Sequence, residues 1–507
     1  MCTSAILLAS ACSLGAQSLA TPWGGYGHDP QHSGVSANAA QSLNRIKWCT
    51  PVDTVLEDTS GPLFIHYGTP VVTAANTVLV PQRTSSGNTY QINAFSGGSG
   101  GSFGCGSPNT PLYTLTTDYT PPPHDWIPSY GATLALDNRY YYPGAGGTVY
   151  YRDSPDSATG NSGQIAFYGN GEYAGNESAF NSTVMISTPI TADRYGDIYF
   201  GFLVTGSNPA GLSSGLARIS VRGLGSWVSA AALAAGDAFV PITQVQMNCA
   251  PAFSINQSTL YIGVSSGNFT AGYLVAVNAA TLAPLVPHVR LTDPNTHQNA
   301  TIPDDGSAAP TVGPDGDVYY GVFETACCSN HDRGWLLHFN STLTTNKIPG
   351  AFGWDTTASV VAKAIVPSYQ GASSYLLLTK YNNYASTGGN GLNYVAITDP
   401  NTAMIDPITG VSVMNVVMEQ LGPTAAAPPA GAVREWCINS AAIDPATKSA
   451  IVNSEDGINY RWDFTTNTLS QMIRLSPGVG EAYTPTVIGP DGTVYAINDA
   501  VLYAIGQ

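Results

Sequence analysis

The chain of 507 residues carries 17 Lys and Arg against 33 Asp and Glu, a net charge of −16, and only 10% of its residues are charged. No basic stripe is present, which disfavours nucleic acid and anionic membrane surfaces, because both are held through clustered Lys and Arg. Gly (54), Pro (35) and Tyr (28) are abundant, and no stretch of helical length keeps a 3.6-residue apolar period, so many short strands joined by tight turns are expected.

In chain order, the first element is an uncharged start. It contains AILLASAC (5–12), ends near Ser18-Leu19-Ala20, and precedes the first charge at Asp29. An apolar core followed by a small-x-Ala site predicts a signal peptide over 1–20, with one domain over 21–507 and a secreted, extracellular or periplasmic location. No later run of about 18 apolar residues exists, so no transmembrane segment is expected. Six cysteines follow the leader: Cys49, Cys105, Cys249, Cys327, Cys328 and Cys437. An even number in an exported chain predicts disulfides.

Next comes a repeat. TPVVTAANTVLV (69–80), PSYGATLALDNRYYY (128–142), TPITADRYGDIYFG (188–201), APAFSINQSTLYIG (250–263) and APTVGPDGDVYYG (309–321) share one plan. A weaker copy begins near 358, and NSAAIDPATKSAIV (439–452) and TPTVIGPDGTVYAI (484–497) complete the series. Each is an apolar strand, a turn rich in Gly, Asn or Asp, and an apolar or aromatic strand, which is a hairpin signal. Further strands such as YLVAVN (273–278) and YVAIT (394–398) follow the hairpins. Four strands per unit, repeated eight times, predict an all-β, eight-bladed β-propeller of four-stranded antiparallel blades. The last unit lacks an outer strand, and LNRIKW (43–48) resembles one. Its addition would close the ring and remove an exposed edge. The segment WGGYGHDPQHSGV (23–35) would lie across the ring as an irregular arm.

On these residues the chain resembles the quinoprotein-like propellers with pyrroloquinoline quinone (PQQ) repeats. The resemblance rests on 23–35 as an opening segment and on the Pro-Thr-Val, Asp-Gly-x-Val-Tyr and Leu-x-Ala-x-Asn elements of the units. It covers roughly residues 23 to 507 and implies the propeller fold. The family includes PQQ- and calcium-dependent alcohol and sugar dehydrogenases as well as cofactor-free scaffolds. Its regular tryptophan-docking signature is largely absent here, as is a haem Cys-x-x-Cys-His.

Function is expected at one end of the central channel, where loops leading into the innermost strands meet those joining second and third strands. The candidate ligand-binding residues are His124, Asp125, Trp126, Arg152, Asp153, His331, Asp332, Arg333, Glu435, Trp436, Glu455 and Asp456. Carboxylates beside Trp and Tyr suit a carbohydrate or another small polar ligand. A salt bridge is the competing reading for 331–333. Cys327 and Cys328 either close a vicinal ring, as in some PQQ alcohol dehydrogenases, or each staple a neighbouring loop through Cys249 and Cys437; stapling is the expectation. The leading function is a secreted propeller binding a small polar ligand, carbohydrate or partner at the channel mouth. The alternatives are a PQQ- and calcium-dependent alcohol or sugar dehydrogenase and a non-catalytic envelope or adhesion scaffold, with an envelope protein as partner.

Overall fold

The computed structural model describes residues 21–55, 64, 66–84, 89–98, 104–106, 108–124, 130–234, 240–285, 288–303 and 308–507. The predicted leader, Asp125 and Trp126 lie outside them.

Eight antiparallel sheets form the eight blades of a β-propeller. Their innermost strands begin at Val71, Thr133, Thr191, Ala252, Thr311, Ser359, Ala442 and Val487, within a few residues of the predicted hairpins. Each innermost strand is short because it lines a narrow channel. Most are only two residues long, as in Val71–Val72 and Thr311–Val312. The second and third strands are longer and mostly buried on both faces, as in Thr259–Ser265 and Gly272–Asn278. That burial explains why they read as near-continuous apolar runs.

In blades 3 and 4 the innermost strand is split. Val184–Ile186 and Thr191–Ala192 both pair with Ile198–Val204, and Gln244–Val245 and Ala252–Phe253 both pair with Thr259–Ser265. The weak copy near 358 is a complete four-stranded blade. The irregular one is blade 5, a three-stranded sheet ending at Trp335–Phe339. Only the isolated bridges Leu336 to Gly350 and Phe339 to Asn346 stand where an outer strand was expected. The hairpin of Tyr394–Ile405 and Ser412–Leu421 in blade 6 packs its Met404, Val411 and Val413 against this edge.

Ring closure is as expected. Strand Arg45–Pro51 pairs antiparallel with Val501–Gly506 and becomes the outer strand of blade 8. The arm that precedes it threads the channel. Backbone hydrogen bonds join Trp23 to Val72, Gly24 to Leu134, Pro30 to Phe253, Gln31 to Val312, Ser33 to Val360 and Gly34 to Ile443. The arm thus touches the innermost strands of six blades. Gly34 has φ +67°, and a Cβ there would stand 2.8 Å from the Ala441 carbonyl oxygen. Only glycine permits this approach.

The arm also fills the channel. Tyr26 is buried, and its hydroxyl donates to Asn439 Oδ1 at 2.8 Å and lies 2.7 Å from Thr357 Oγ1. It packs with Tyr67, Ala250, Ala309, Cys437 and Tyr483 as a plug between the two ends. Burial lowers the His32 pKa to about 4. The ring is therefore neutral at pH 7, and its Nδ1–H donates to the Pro310 carbonyl at 2.8 Å.

Candidate functional site

The arm occupies the end of the channel marked by the blade hairpin turns, so the opposite end is the open mouth. There a cavity of about 270 Å³ lies toward blades 4 to 8, lined by Phe269, Phe323, Asp332, Trp354, Asp355, Lys380, Tyr384, Ser386, Glu435, Cys437 and Tyr483. The repeat explains the convergence. Asp355, Glu435, Cys437 and Tyr483 lead into innermost strands, whereas Phe269, Phe323, Asp332, Tyr384 and Ser386 belong to loops after second strands. Lys380 sits near the mouth end of strand Tyr375–Tyr381.

Charge at the mouth is buried and uneven. Lys380 Nζ lies 3.4 Å from Asp355 Oδ2, with both side chains 2% exposed. Burial opposes the Lys380 charge, but Asp355 and neighbouring acidic groups outweigh it, and its pKa rises. Burial also raises Glu435, an effect Lys380 offsets in part and Asp355 reinforces. Glu455 is pushed up to about 8 by burial and then by Glu435 and Glu481. Glu481 reaches about 7, chiefly through burial. Burial, reinforced by Glu481, also raises the Cys437 thiol well above its ordinary value. These carboxyl groups crowd one low-dielectric wall and resist simultaneous ionisation.

A second group of features sits on the blade 5 rim. Cys327 and Cys328 form a vicinal disulfide, with Cα atoms 3.6 Å apart. Their sulfur atoms lie within 4.8 Å of an Asp332 carboxylate oxygen. Glu324, fully buried, organises the loop from beneath: the Asn330 amide donates to its Oε2 at 2.8 Å, and the Cys328 and Asp332 amides also face its carboxylate. Burial and then Asp332 push Glu324 up to about 7. Cys328, His331 and Asp332 have φ of 80°, 56° and 56°. Asp355, across the cavity, has φ 53°. Left-handed backbone at such residues is costly and tends to cluster at binding sites.

The expected loop stapling is therefore corrected. Cys49 pairs with Cys105, Cys327 with Cys328, and Cys249 and Cys437 are free, buried thiols. Each free thiol has its own neighbours: the Gly263 amide donates to Cys249 Sγ at 3.4 Å, and Cys437 faces Glu481.

The sequence-predicted residues divide. Asp332 and Glu435 line the cavity, and Glu455 stands behind Glu435, 3.4 Å from its amide. His331 is on the same rim, its Nδ1 2.9 Å from Asn383 Oδ1. Arg333 is buried in a salt bridge, 2.8 Å from Asp406 Oδ2, and ties this loop to the blade 6 hairpin. Trp436 is fully buried against Tyr460 and lies outside the lining. Asp456 accepts from Thr424 and Tyr460 hydroxyls at 2.6 and 2.7 Å.

Arg152 and Asp153 are misplaced by the sequence reading. They end the third strand of blade 2, so they lie at the arm end. There Arg152 donates to the Gly160 and Ser157 carbonyls, and Asp153 pairs with Arg139 at 2.6 Å. His124 Nδ1 stands 2.8 Å from the Pro122 carbonyl. Lys380 escaped the sequence reading, although a lysine inside the apolar run LLLTKY (376–381) marks a buried charge in need of a partner.

Two solved structures align over nearly the whole chain. One is described as a europium-containing methanol dehydrogenase, with 10% identity, TM-score 0.56, and 94% of this chain and 89% of that one covered. The other is the quinohemoprotein alcohol dehydrogenase from Comamonas testosteroni, with 10% identity, TM-score 0.56, and 97% and 81% covered. The fold is an eight-bladed β-propeller similar to those of these two dehydrogenases. The Saccharomyces cerevisiae protein Sqt1 also aligns, with 10% identity, TM-score 0.50, and 92% and 99% covered. No family model and no curated protein matches the sequence. At 10% identity these likenesses establish the propeller architecture, and the chemistry must be argued from the cavity itself.

The mouth residues do not fit PQQ. That cofactor carries three carboxylates and calls for Arg or Lys partners. Among the described lining residues, the cation is Lys380, already held by Asp355, and Asp332, Asp355 and Glu435 oppose an anion.

Proposed function

We propose that this propeller binds a small, polar, uncharged or weakly cationic molecule at the channel mouth, with a carbohydrate or polyol as the favoured class. The observation carrying this reading is the composition of the cavity. The aromatic residues Phe269, Phe323, Trp354 and Tyr384 line it together with the hydrogen-bonding residues Asp332, Asp355, Lys380, Ser386 and Glu435. Aromatic faces stack on the apolar faces of a sugar ring while carboxylates accept from its hydroxyls. A cavity of about 270 Å³ suits one small molecule rather than a long chain. The disulfides and the N-terminal apolar stretch support an exported location.

A dehydrogenase is the second reading. The vicinal disulfide on the mouth rim favours it, and the acid-rich lining opposes it.

Calorimetric titration with glucose, galactose, maltose and sorbitol tests the first reading. At least one should bind, and Asp332→Asn should weaken it tenfold or more. Silence across the panel contradicts the reading. A quinone absorbance and dye reduction with an alcohol or sugar after addition of PQQ and calcium would favour the dehydrogenase instead.

A further inference from the structure

The wall between blades 7 and 8 gathers Cys437, Glu455 and Glu481, which the sugar-binding reading does not use, beside Glu435, which it shares. Carboxylate oxygens of Glu435 and Glu455 and the sulfur of Cys437 all lie within 4.8 Å of one another. Glu481, only 9% exposed, faces the same thiol. Its Oε2 is withdrawn from solvent and makes no hydrogen bond. A buried carboxylate oxygen without a partner is costly, and more so beside two further carboxylates. The nearby cations relieve it only in part: Lys380 is held by Asp355, and Arg434, 42% exposed, stands 3.8 Å from Glu455.

We propose that Glu435, Cys437, Glu455 and Glu481 form a binding site for a divalent first-row transition-metal ion, with the Cys437 thiolate as its softest ligand. The donor set selects the class of ion. Calcium and magnesium take oxygen ligands alone, whereas one sulfur with carboxylates suits zinc or cobalt. Donors sharing a zinc ion stand roughly 3.5 Å apart, since its bonds are about 2.0–2.3 Å. The Glu435, Cys437 and Glu455 donors, within 4.8 Å of one another, must draw together by about 1 Å to reach that spacing, and Glu481 must turn toward them. Glu435 and Cys437 belong to the cavity lining, while Glu455 and Glu481 do not. The ion would therefore sit in the wall with one side toward the cavity, its tetrahedral shell filled by the four protein donors. This site goes beyond the sugar-binding reading and does not depend on it.

Cobalt titration of the chelator-treated full chain, without any sugar, tests the proposal. One cobalt per chain should bind with a thiolate-to-cobalt charge-transfer band, and one equivalent of zinc should abolish the band. Cys437→Ser should remove the band, and Glu481→Gln should weaken cobalt binding tenfold or more with an unchanged circular dichroism spectrum. If Cys437→Ser fails to fold, wild-type protein and Glu481→Gln decide the matter. Absence of the band in folded wild type, its persistence in Cys437→Ser, or binding of calcium with no binding of cobalt would overturn the proposal.

Discussion

The two ends of the channel are built on the same eight innermost strands but use them in opposite ways. At the arm end, Trp23 to Gly34 meets strand after strand through backbone hydrogen bonds, while Tyr26 reaches inward to Thr357 and Asn439. At the mouth, acidic groups crowd together under burial, Glu481 Oε2 lacks a partner, and Cys328, His331, Asp332 and Asp355 hold left-handed backbone. Left-handed backbone occurs at both ends, with His28 and His32 of the arm at φ 78° and 58°; what distinguishes the mouth is its buried acidic charge, which a ring secured at the other end can carry.

The largest effect should come from loosening the arm. Trp23 is 1% exposed, and Trp23→Ala should cost about 4 kcal/mol, as for other buried aromatics. Guanidinium denaturation measures this, and a loss below about 1 kcal/mol would mean the arm is ornamental. Next is the support behind the mouth. Arg333→Met leaves Asp406 buried and uncompensated, which should cost about 3 kcal/mol and increase hydrogen exchange in 324–334.

Glu324 gives a change of the opposite sign. Its folded value of about 7 exceeds the ordinary 4.5, so the folded state holds its proton more tightly. The penalty for ionising it is absent below about pH 4.5, grows up to pH 7, and is constant above. Glu324→Gln should therefore stabilise the chain by ~1–3 kcal/mol at pH 8 and leave it unchanged at pH 4. Equal melting temperatures for variant and wild type at pH 8 would contradict the assigned burial. The smallest stability change is expected for Trp354→Ala on the partly exposed rim, below about 1 kcal/mol, yet sugar affinity should fall tenfold or more in calorimetry.

The propeller was legible because its signal is repeated. Asp-Gly and Asn turns between apolar runs recur in most blades, and period-based reasoning gains from every copy. Blade 5 shows the limit: its outer position holds only an irregular segment bridged through Asn346 and Gly350, braced by the blade 6 hairpin through the Met414 amide and the Pro349 carbonyl, a contact no local pattern announces. At the mouth, Asp332, Glu435 and Glu455 were legible because scarce charges in loops stand out. Arg152 and Asp153 went to the wrong end because the boundary between loop and third strand in blade 2 was shifted. Lys380 was hidden inside a strand, and its partner Asp355 lies 25 residues away. The Cys327–Cys328 ring runs against the expected stapling because adjacency permits a vicinal bond without requiring one.

Hydrogen exchange with and without the tightest-binding sugar of the panel tests the central claim most directly. The account predicts protection in 323–334, 354–357, 380–387 and 435–437, with no change in 23–36. Protection confined to the arm and the hairpin turns around it would contradict the assignment of the mouth as the working end.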